Sequence, residues 1–139
     1  MRRVFVVRKD LSLKPGKLAA MIGHMCEAYW TNLLKLAQRA DIGLTAGQET
    51  TKRIVEIPYD IWNEYVNGIF TKTICECRNL AQLHKADDEI KSLGLEEGRD
   101  WGYINDKCLT DLTPENKDGT TTVGMWFRPL PDDQAHRIS

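Results

Sequence analysis

The sequence predicts an α/β fold whose elements follow one another in the order β-α-α-β-α-β-β. Three observations support this order: short runs rich in β-branched residues, apolar residues at helical spacing between them, and Pro or Gly where the runs stop. Strand–helix–strand units predict partly parallel pairing with right-handed crossovers. The last two strands are separated only by a polar loop and are expected to pair antiparallel.

One strand and two helices are predicted in the first half of the chain. Val4 to Arg8 is an apolar run typical of a buried strand. Pro15 fits the first turn of a helix, where a missing N–H costs nothing, and apolar spacing continues the helix from Gly16 to about Ala40. Residues 41–51 break this pattern and predict a loop, and residues 53–57 predict a brief extended piece. A shorter helix is expected from Pro58 to Gly68.

A strand and a capped helix are predicted next. Thr71 to Arg78 has the β-propensity of a strand. Asn79 is a good N-cap residue, and Gln82 stands three residues later as its reciprocal partner in a capping box. Gly94 is expected to follow the helix as its C′ residue.

The chain closes with two predicted strands, Trp101 to Asn105 and Thr121 to Phe127, joined by a polar loop. Proline residues end the last strand, and residues 132–139 are predicted to form a frayed tail. A single domain is therefore expected to span residues 1–131.

Composition narrows the function classes. The 139 residues are 42% hydrophobic and 28% charged, which is a globular balance. No apolar run is long enough for a signal peptide or a membrane span, and four cysteines without a CxxC pair indicate free thiols in a reducing cytoplasm. The net charge is −1, yet the N-terminal end is basic. Such an end either attracts phosphate or is an ordinary solvated face.

The sequence motifs that mark several common kinds of active site are absent. The sequence contains no P-loop, no GxGxxG and no GxSxG nucleophile elbow. The three histidines have no metal-ligand spacing with one another. We therefore expect neither a cofactor nor a metal ion.

Two segments remain as candidate sites. Lys17 lies in the first turn of the long helix, where an ammonium group and backbone N–H groups would attract an anion together. His24 shares a helix side with Lys17 and Met21. Asp106 ends a strand, from which a side chain can project into a cleft. The alternatives are a solvated lysine, a packed histidine and an ordinary turn at the aspartate.

The ordered motifs resemble those of the peptidyl-tRNA hydrolase 2 family. The sequence reads VVRKDL and then GKLAAMIGHM, where the family has VVRxDL and GKxAAQxxHA, and DKCLTDLTP is similar to its DAGxTQxxP. The resemblance covers most of the chain apart from Ala40 to Ile57, which looks like an insertion. It implies a small mixed four-stranded sheet with helices on both faces, and a homodimer. It also implies metal-free hydrolysis of peptidyl-tRNA.

The resemblance carries the family's functional residues onto this sequence. Its lysine, aspartate, first threonine and histidine fall on Lys17, Asp106, Thr110 and His24. Its second threonine falls on Thr121 or Thr122; we place Thr122 in the catalytic group and Thr121 among the substrate contacts. This sequence departs from the family pattern where Gln is replaced by Met21 and Asp111, and where Gly is replaced by Cys108.

The mechanism that these residues suggest is direct attack of water on the ester. Asp106 would orient or deprotonate the water, Thr110 would relay a hydrogen bond, and Lys17 would stabilise the oxyanion. Five basic residues are expected to hold the RNA: Arg2, Arg3, Arg8, Lys9 and Lys14. The alternatives are a non-catalytic module that binds RNA or protein, a hydrolase of another acyl ester, and a structural dimer without an active site.

Overall fold

The computed structural model of the chain describes residues 1–40, 49–109 and 112–139. It confirms the α/β class and the mixed four-stranded sheet. In chain order the elements are β1 (Arg3–Arg8), α1 (Pro15–Leu36), β2 (Gln38–Arg39), β3 (Arg53–Ile54), a π-helix (Ile61–Val66), β4 (Lys72–Cys77), α2 (Leu80–Leu83), α3 (Ala86–Ser92), β5 (Trp101–Asp106), β6 (Thr121–Phe127) and α4 (Asp132–Ile138).

The order of strands across the main sheet is β4-β1-β6-β5. β1 and β4 pair in parallel, and β6 pairs antiparallel with β5, as the sequence predicted. β6 also pairs antiparallel with β1, which the sequence did not predict. The ends of β1, β4 and β5 therefore meet at one edge of the sheet, together with the start of β6. We call this the C-terminal edge, and α1 begins beside it.

Residues along each strand point alternately to opposite sides of the sheet. Because β1 and β6 are apolar at most successive positions, apolar side chains cover both faces. α1 and the π-helix pack on one face, where Phe5 and Val7 meet Met25 and Tyr65. On the other face, α2, α3 and α4 cover a second cluster that includes Val4, Val6, Leu83, Ile90, Phe127 and Ala135. The predicted helices on both faces are confirmed.

A bulge in β6 decides which residues share a face at the C-terminal edge. β5 pairs Ile104 with Gly124 but Asn105 with Thr122, so β6 has one extra residue, Val123. The shift places Thr121 opposite Asp106. Just beyond the bulge, β1 and α1 approach β6 so closely that a Cβ at Gly124 would lie 2.1 Å from the carbonyl oxygen of Val6.

The segment between α1 and β4 differs from the prediction. α1 ends at Leu36 rather than near Ala40, because β2 pairs there with β3 in a separate two-stranded sheet. The extended piece predicted at 53–57 is confirmed for the two residues of β3, whereas residues 41–48 of the predicted loop lie outside the described residues. The predicted second helix is a π-helix, in which the N–H of Asn67 donates to the carbonyl of Trp62.

The helix predicted after Asn79 is divided into α2 and α3. The Asn79 side chain caps α2 by accepting the N–H of Gln82, as predicted. The Gln82 side chain accepts the N–H of Arg78, so the reciprocal bond of a capping box is displaced by one residue. Gly94 follows α3 with a φ of 67°, which confirms it as the C′ residue.

The predicted frayed tail is wrong, because residues 132–138 form α4. Ala135 is fully buried against the sheet, and Arg137 forms an ion pair with Glu89 of α3. Asp132 pairs with both the chain's amino group and Arg2. These contacts stabilise a short helix that local propensity alone would leave marginal.

Candidate active site

An ion pair between Lys17 and Asp106 lies at the C-terminal edge of the sheet. Lys17 Nζ donates to Asp106 Oδ1 at 2.6 Å, which joins the first turn of α1 to the end of β5. The Asp106 side chain is 8% exposed and that of Lys17 is 22% exposed, so the pair is partly withdrawn from water. The structure thus brings together two residues that are distant in sequence and that the sequence predicted to share a site.

The second carboxylate oxygen of Asp106 is held by the main chain. The N–H of Cys108 donates to Asp106 Oδ2 at 2.9 Å. The hydrogen bond from Lys17 lowers the pKa of Asp106 and is helped by the Cys108 N–H and by the charge of His24, whereas burial acts in the opposite direction. Asp106 is consequently an oriented carboxylate anion that keeps lone pairs for a further hydrogen bond.

Cys108 presents its N–H to Asp106 from a left-handed backbone conformation, with a φ of 59°. Left-handed backbone favours glycine, which is the residue usual at this place in the resembling family. Sequence reasoning did not assign Cys108 a role, although that glycine was a usable signal. The Cys108 thiol lies 3.4 Å from the Thr121 hydroxyl oxygen.

The two threonines of β6 lie on opposite faces of the sheet. Thr121 faces Asp106 and is fully buried; its hydroxyl donates to the carbonyl of Thr113 at 2.6 Å and accepts the N–H of Glu115. The Thr122 hydroxyl donates instead to Asn105 on the other face. The structure therefore places Thr121, and not Thr122, on the side of Asp106, and the buried Thr121 hydroxyl supports the loop before β6 rather than contacting a substrate.

The other two predicted catalytic residues are Thr110 and His24, and the structure describes only the second. Thr110 lies outside the described residues, as does Asp111. His24 is exposed on α1, and its charge contributes to the low pKa of Asp106. Met21 is 5% exposed and packs in the core between α1 and the sheet. The replacement of glutamine by Met21 thus falls in the core rather than in the site.

Two arginines predicted to hold RNA are placed elsewhere. Arg3 is fully buried, and its guanidinium donates to the carbonyls of Met25, Cys26 and Phe127. Burial lowers the pKa of Arg3 to about 10. Arg2 pairs with Asp132 at the edge opposite the Lys17–Asp106 pair. The RNA contact predicted for Arg3 is corrected, because packing withdraws its side chain from solvent. The RNA contact predicted for Arg2 stays a prediction, at the edge of the sheet away from the Lys17–Asp106 pair.

The RNA contact predicted for Arg8 is also corrected. Its side chain instead joins the two segments that flank the site. Its side chain is 3% exposed and pairs with Asp10 at 2.8 Å and with Glu115 at 2.6 Å. A further N–H donates to the carbonyl of Thr122 at 3.0 Å. The hydrogen bonds that Arg8 donates to the carboxylates of Asp10 and Glu115 raise the pKa of Arg8. Arg8 thus ties the loop after β1 to the loop before β6.

Other cations lie at the C-terminal edge. Lys9 and Lys14 follow β1 and are exposed, and Lys9 forms a long ion pair of 3.9 Å with Glu76. Lys107 follows β5 directly after Asp106 and is exposed as well. Sequence reasoning missed Lys107, although its place beside Asp106 in the DKC motif was a usable signal.

A cleft of about 310 Å³ opens beside Lys17. One wall comes from the loop between β1 and α1, and the other comes from Leu112 in the loop before β6. Its lining residues are Leu11, Ser12, Leu13, Lys14, Lys17 and Leu112. The cleft beside the Lys17–Asp106 pair therefore has a mixed lining, in which three leucines alternate with Ser12 and two lysines.

The low pKa of Asp106 predicts how stability depends on pH. A carboxyl whose pKa is lower in the folded state stabilises the fold above its unfolded pKa of about 3.9, and this contribution is lost as the pH falls through the folded value. Lys17→Met removes the main cause of the low pKa. We expect the free energy of unfolding of the two proteins to differ by a constant amount above about pH 5 and to converge below about pH 4.

Urea unfolding across this pH range measures the difference, with Lys91→Met as the control for loss of an exposed lysine. A difference that persists undiminished into acid would contradict an ion pair with Asp106.

Comparison with known proteins relates the whole chain to one protein family. The family model described as Peptidyl-tRNA hydrolase PTH2 matches residues 1–139. A search of curated proteins found no match. Within the ranges that the structure describes, no group of three His, Cys, Asp or Glu residues is placed to hold a metal ion, and no helix is long and apolar enough to cross a membrane.

Proposed function

The chain belongs to the peptidyl-tRNA hydrolase PTH2 family, and from this premise we propose that it hydrolyses the ester between peptide and tRNA in peptidyl-tRNA. The observation that carries the proposal is the Lys17–Asp106 pair, with 2.6 Å between Nζ and Oδ1, at the C-terminal edge of the sheet. Ligands of open α/β sheets bind outside the carboxyl ends of the strands.

The proposed reaction adds water across the ester. The water oxygen bonds to the carbonyl carbon, the bond from that carbon to the ribose oxygen breaks, and the ribose oxygen takes up a proton. The products are a peptide acid and tRNA with a free terminal hydroxyl. Asp106 accepts a hydrogen bond from the attacking water, and its low pKa favours orientation of the water over full removal of a proton.

Lys17 supplies positive charge where negative charge develops. Its ammonium lies at the start of α1, where backbone N–H groups also point toward an anion. A fixed cation in a partly dehydrated site stabilises an oxyanion without reorganising solvent during the reaction. Thr110 remains in the proposal as a relay for a hydrogen bond to the water, on the strength of the family pattern.

The direct test is release of intact tRNA from a peptidyl-tRNA in the presence of a chelator. Hydrolysis of the peptidyl-tRNA supports the proposal. Hydrolysis of a small acyl ester but not of peptidyl-tRNA would indicate another substrate class. Binding of tRNA without any hydrolysis by the folded protein would indicate a non-catalytic module.

RNA binding is proposed to rest on Lys9, Lys14 and Lys107. Neutralising phosphates releases counterions, so three lysines predict that the logarithm of tRNA affinity falls with the logarithm of salt with a slope of about −2. Lys14→Gln is expected to make that slope shallower by about 0.7. Fluorescence titration of deacylated tRNA at several KCl concentrations measures it, with Lys91→Gln as the control. A slope near zero for the parent protein would contradict the basic surface.

A homodimer in the cytoplasm remains part of the proposal. Large apolar side chains are exposed near the β4 edge, including Ile69 at 82% and Phe70 at 58%. Such a patch on a globular protein supports a protein contact. The four cysteines are free thiols, which suits a reducing compartment. Light scattering of the purified protein distinguishes a dimer from a monomer.

A further inference from the structure

β4 lies at one edge of the main sheet, with β1 on its inner side. The carbonyls of Thr71 and Cys77 accept N–H groups from the start of β1 and from the residue that follows it. The N–H and C=O of one residue point to the same side of a strand, and that side alternates along the chain. The main-chain groups of Lys72, Ile74 and Glu76 therefore point outward, where no strand within the described ranges pairs with them.

The side chains of these three residues lie on the face of the sheet that α1 covers. Ile74 is in register with Phe5, which packs beneath α1, whereas the neighbouring Cys75 packs on the opposite face. Ile74 is 51% exposed although it is apolar, and Lys72 and Glu76 are exposed on either side of it. The free edge thus presents a cation, an apolar side chain and an anion at alternate positions.

The two charges at this edge are only loosely engaged. Lys72 Nζ donates to the carbonyl of Phe70 at 2.9 Å, which leaves the ammonium further N–H groups to donate. Glu76 lies 3.9 Å from Lys9, and these two side chains are 62% and 73% exposed. Both Lys72 and Glu76 can therefore form a closer ion pair with a strand that lies alongside β4.

The order of the charges is complementary to itself in an antiparallel pair. When two β4 strands run in opposite directions about Ile74, Lys72 of each copy lies opposite Glu76 of the partner subunit, and the two Ile74 side chains face each other. Since the main-chain groups of all three residues point outward, each of these pairs can exchange N–H···O=C bonds. A parallel pair in register would instead place like charges opposite each other, which is destabilising.

We propose that two copies of the chain associate through antiparallel pairing of their β4 strands, which joins the two four-stranded sheets into one. The inference specifies the interface of the homodimer included in the proposed function and does not depend on hydrolysis. Exposed strand edges pair readily with another chain, and here the order of charges selects a second copy. Ile69 and Phe70, both exposed just before β4, extend the apolar surface along the same edge.

The test is the mass of the protein in solution, measured by sedimentation over a range of protein concentrations. We expect the parent protein to dimerise, and Lys72→Glu to raise the dissociation constant of the dimer by about 10-fold or more, because like charges then face each other twice. Glu76→Lys should have the same effect. The matched control is Lys91→Glu, which makes the same charge change at an exposed residue of α3 and should dimerise like the parent.

A mixture of the two single variants gives the sharpest result. Lys72→Glu makes both edge charges negative and Glu76→Lys makes both positive, so we expect the mixture to form the dimer that neither variant forms well alone. Circular dichroism checks the fold of each variant. Ile74→Lys, which would place two cations side by side at the centre of the pair, replaces a single variant that does not fold.

Each other outcome overturns the inference. A parent protein that stays monomeric at every concentration would leave the β4 edge to solvent or to a different protein. A dimer that neither Lys72→Glu nor Glu76→Lys weakens would have its interface on another surface. Two weakened variants that do not associate when mixed would show that these charges do not face each other across the interface.

Discussion

Asp106→Asn is expected to lower kcat/KM for a peptidyl-tRNA by about 10²–10⁴-fold, because it removes the negative charge that orients the attacking water. Asparagine has nearly the same shape, and its carbonyl oxygen can still accept the N–H of Cys108, which donates to Asp106 at 2.9 Å. The fold should therefore persist while activity falls. Release of tRNA under single-turnover conditions, with circular dichroism for the fold, measures both.

The matched control is Asp87→Asn, which removes a half-exposed carboxylate on α3 that lies 3.7 Å from His84 and outside the candidate site. Its kcat/KM should equal that of the parent protein. If Asp106→Asn retained most of the activity while Asp87→Asn behaved in the same way, the carboxylate at the C-terminal edge would have no catalytic part. The proposed mechanism would then be wrong.

Lys17 and Asp106 should also be coupled, since Nζ and Oδ1 are 2.6 Å apart. Lys17→Met alone is expected to cost about 10²–10³-fold, as loss of an oxyanion donor does. The double variant should be little worse than Asp106→Asn, because residues that act as a unit are strongly non-additive. Independent, multiplicative losses would show that the two groups serve separate steps.

Gly124→Ala is expected to destabilise the fold by about 3 kcal/mol or more. The added methyl group would clash with the backbone of β1, which cannot move aside as a flexible side chain can. A Cβ at this position would lie 2.1 Å from the carbonyl oxygen of Val6 and 2.7 Å from Met25 Cε. Either the β1–β6 pairing opens or α1 moves away from the sheet. Urea unfolding monitored by tryptophan fluorescence gives the change in free energy.

Gly23→Ala is the matched control, since it makes the same chemical change where no atom beyond the adjoining residues and the helix's own backbone lies within 4 Å of the new Cβ. It lies inside α1, where alanine is preferred to glycine by about 1 kcal/mol. We therefore expect stabilisation of up to about 1 kcal/mol. Equal effects of the two substitutions would contradict the close contact at β6.

Local signals predicted most of the elements. β6 has the predicted bounds, Thr121–Phe127, because a run with β-branched and aromatic residues is followed, one residue later, by Pro129. Asn79 caps a helix and Gly94 ends one, as their chemistry favours. The division into α2 and α3 was missed, since it depends on how both helices pack on the sheet rather than on the cap residues.

The sequence by itself determined the fold class, the strand order along the chain, and the candidate pair Lys17 and Asp106. Periodicity, caps and motif spacing are local, so they can be recognised without a structure. Only the tertiary structure decided that Arg3 is a buried cation and that the tail forms a helix. The exposure of a charge and the docking of a short helix depend on what packs against them. The bulge at Val123 likewise depends on the pairing between β5 and β6, and through it the structure placed Thr121, not Thr122, opposite Asp106.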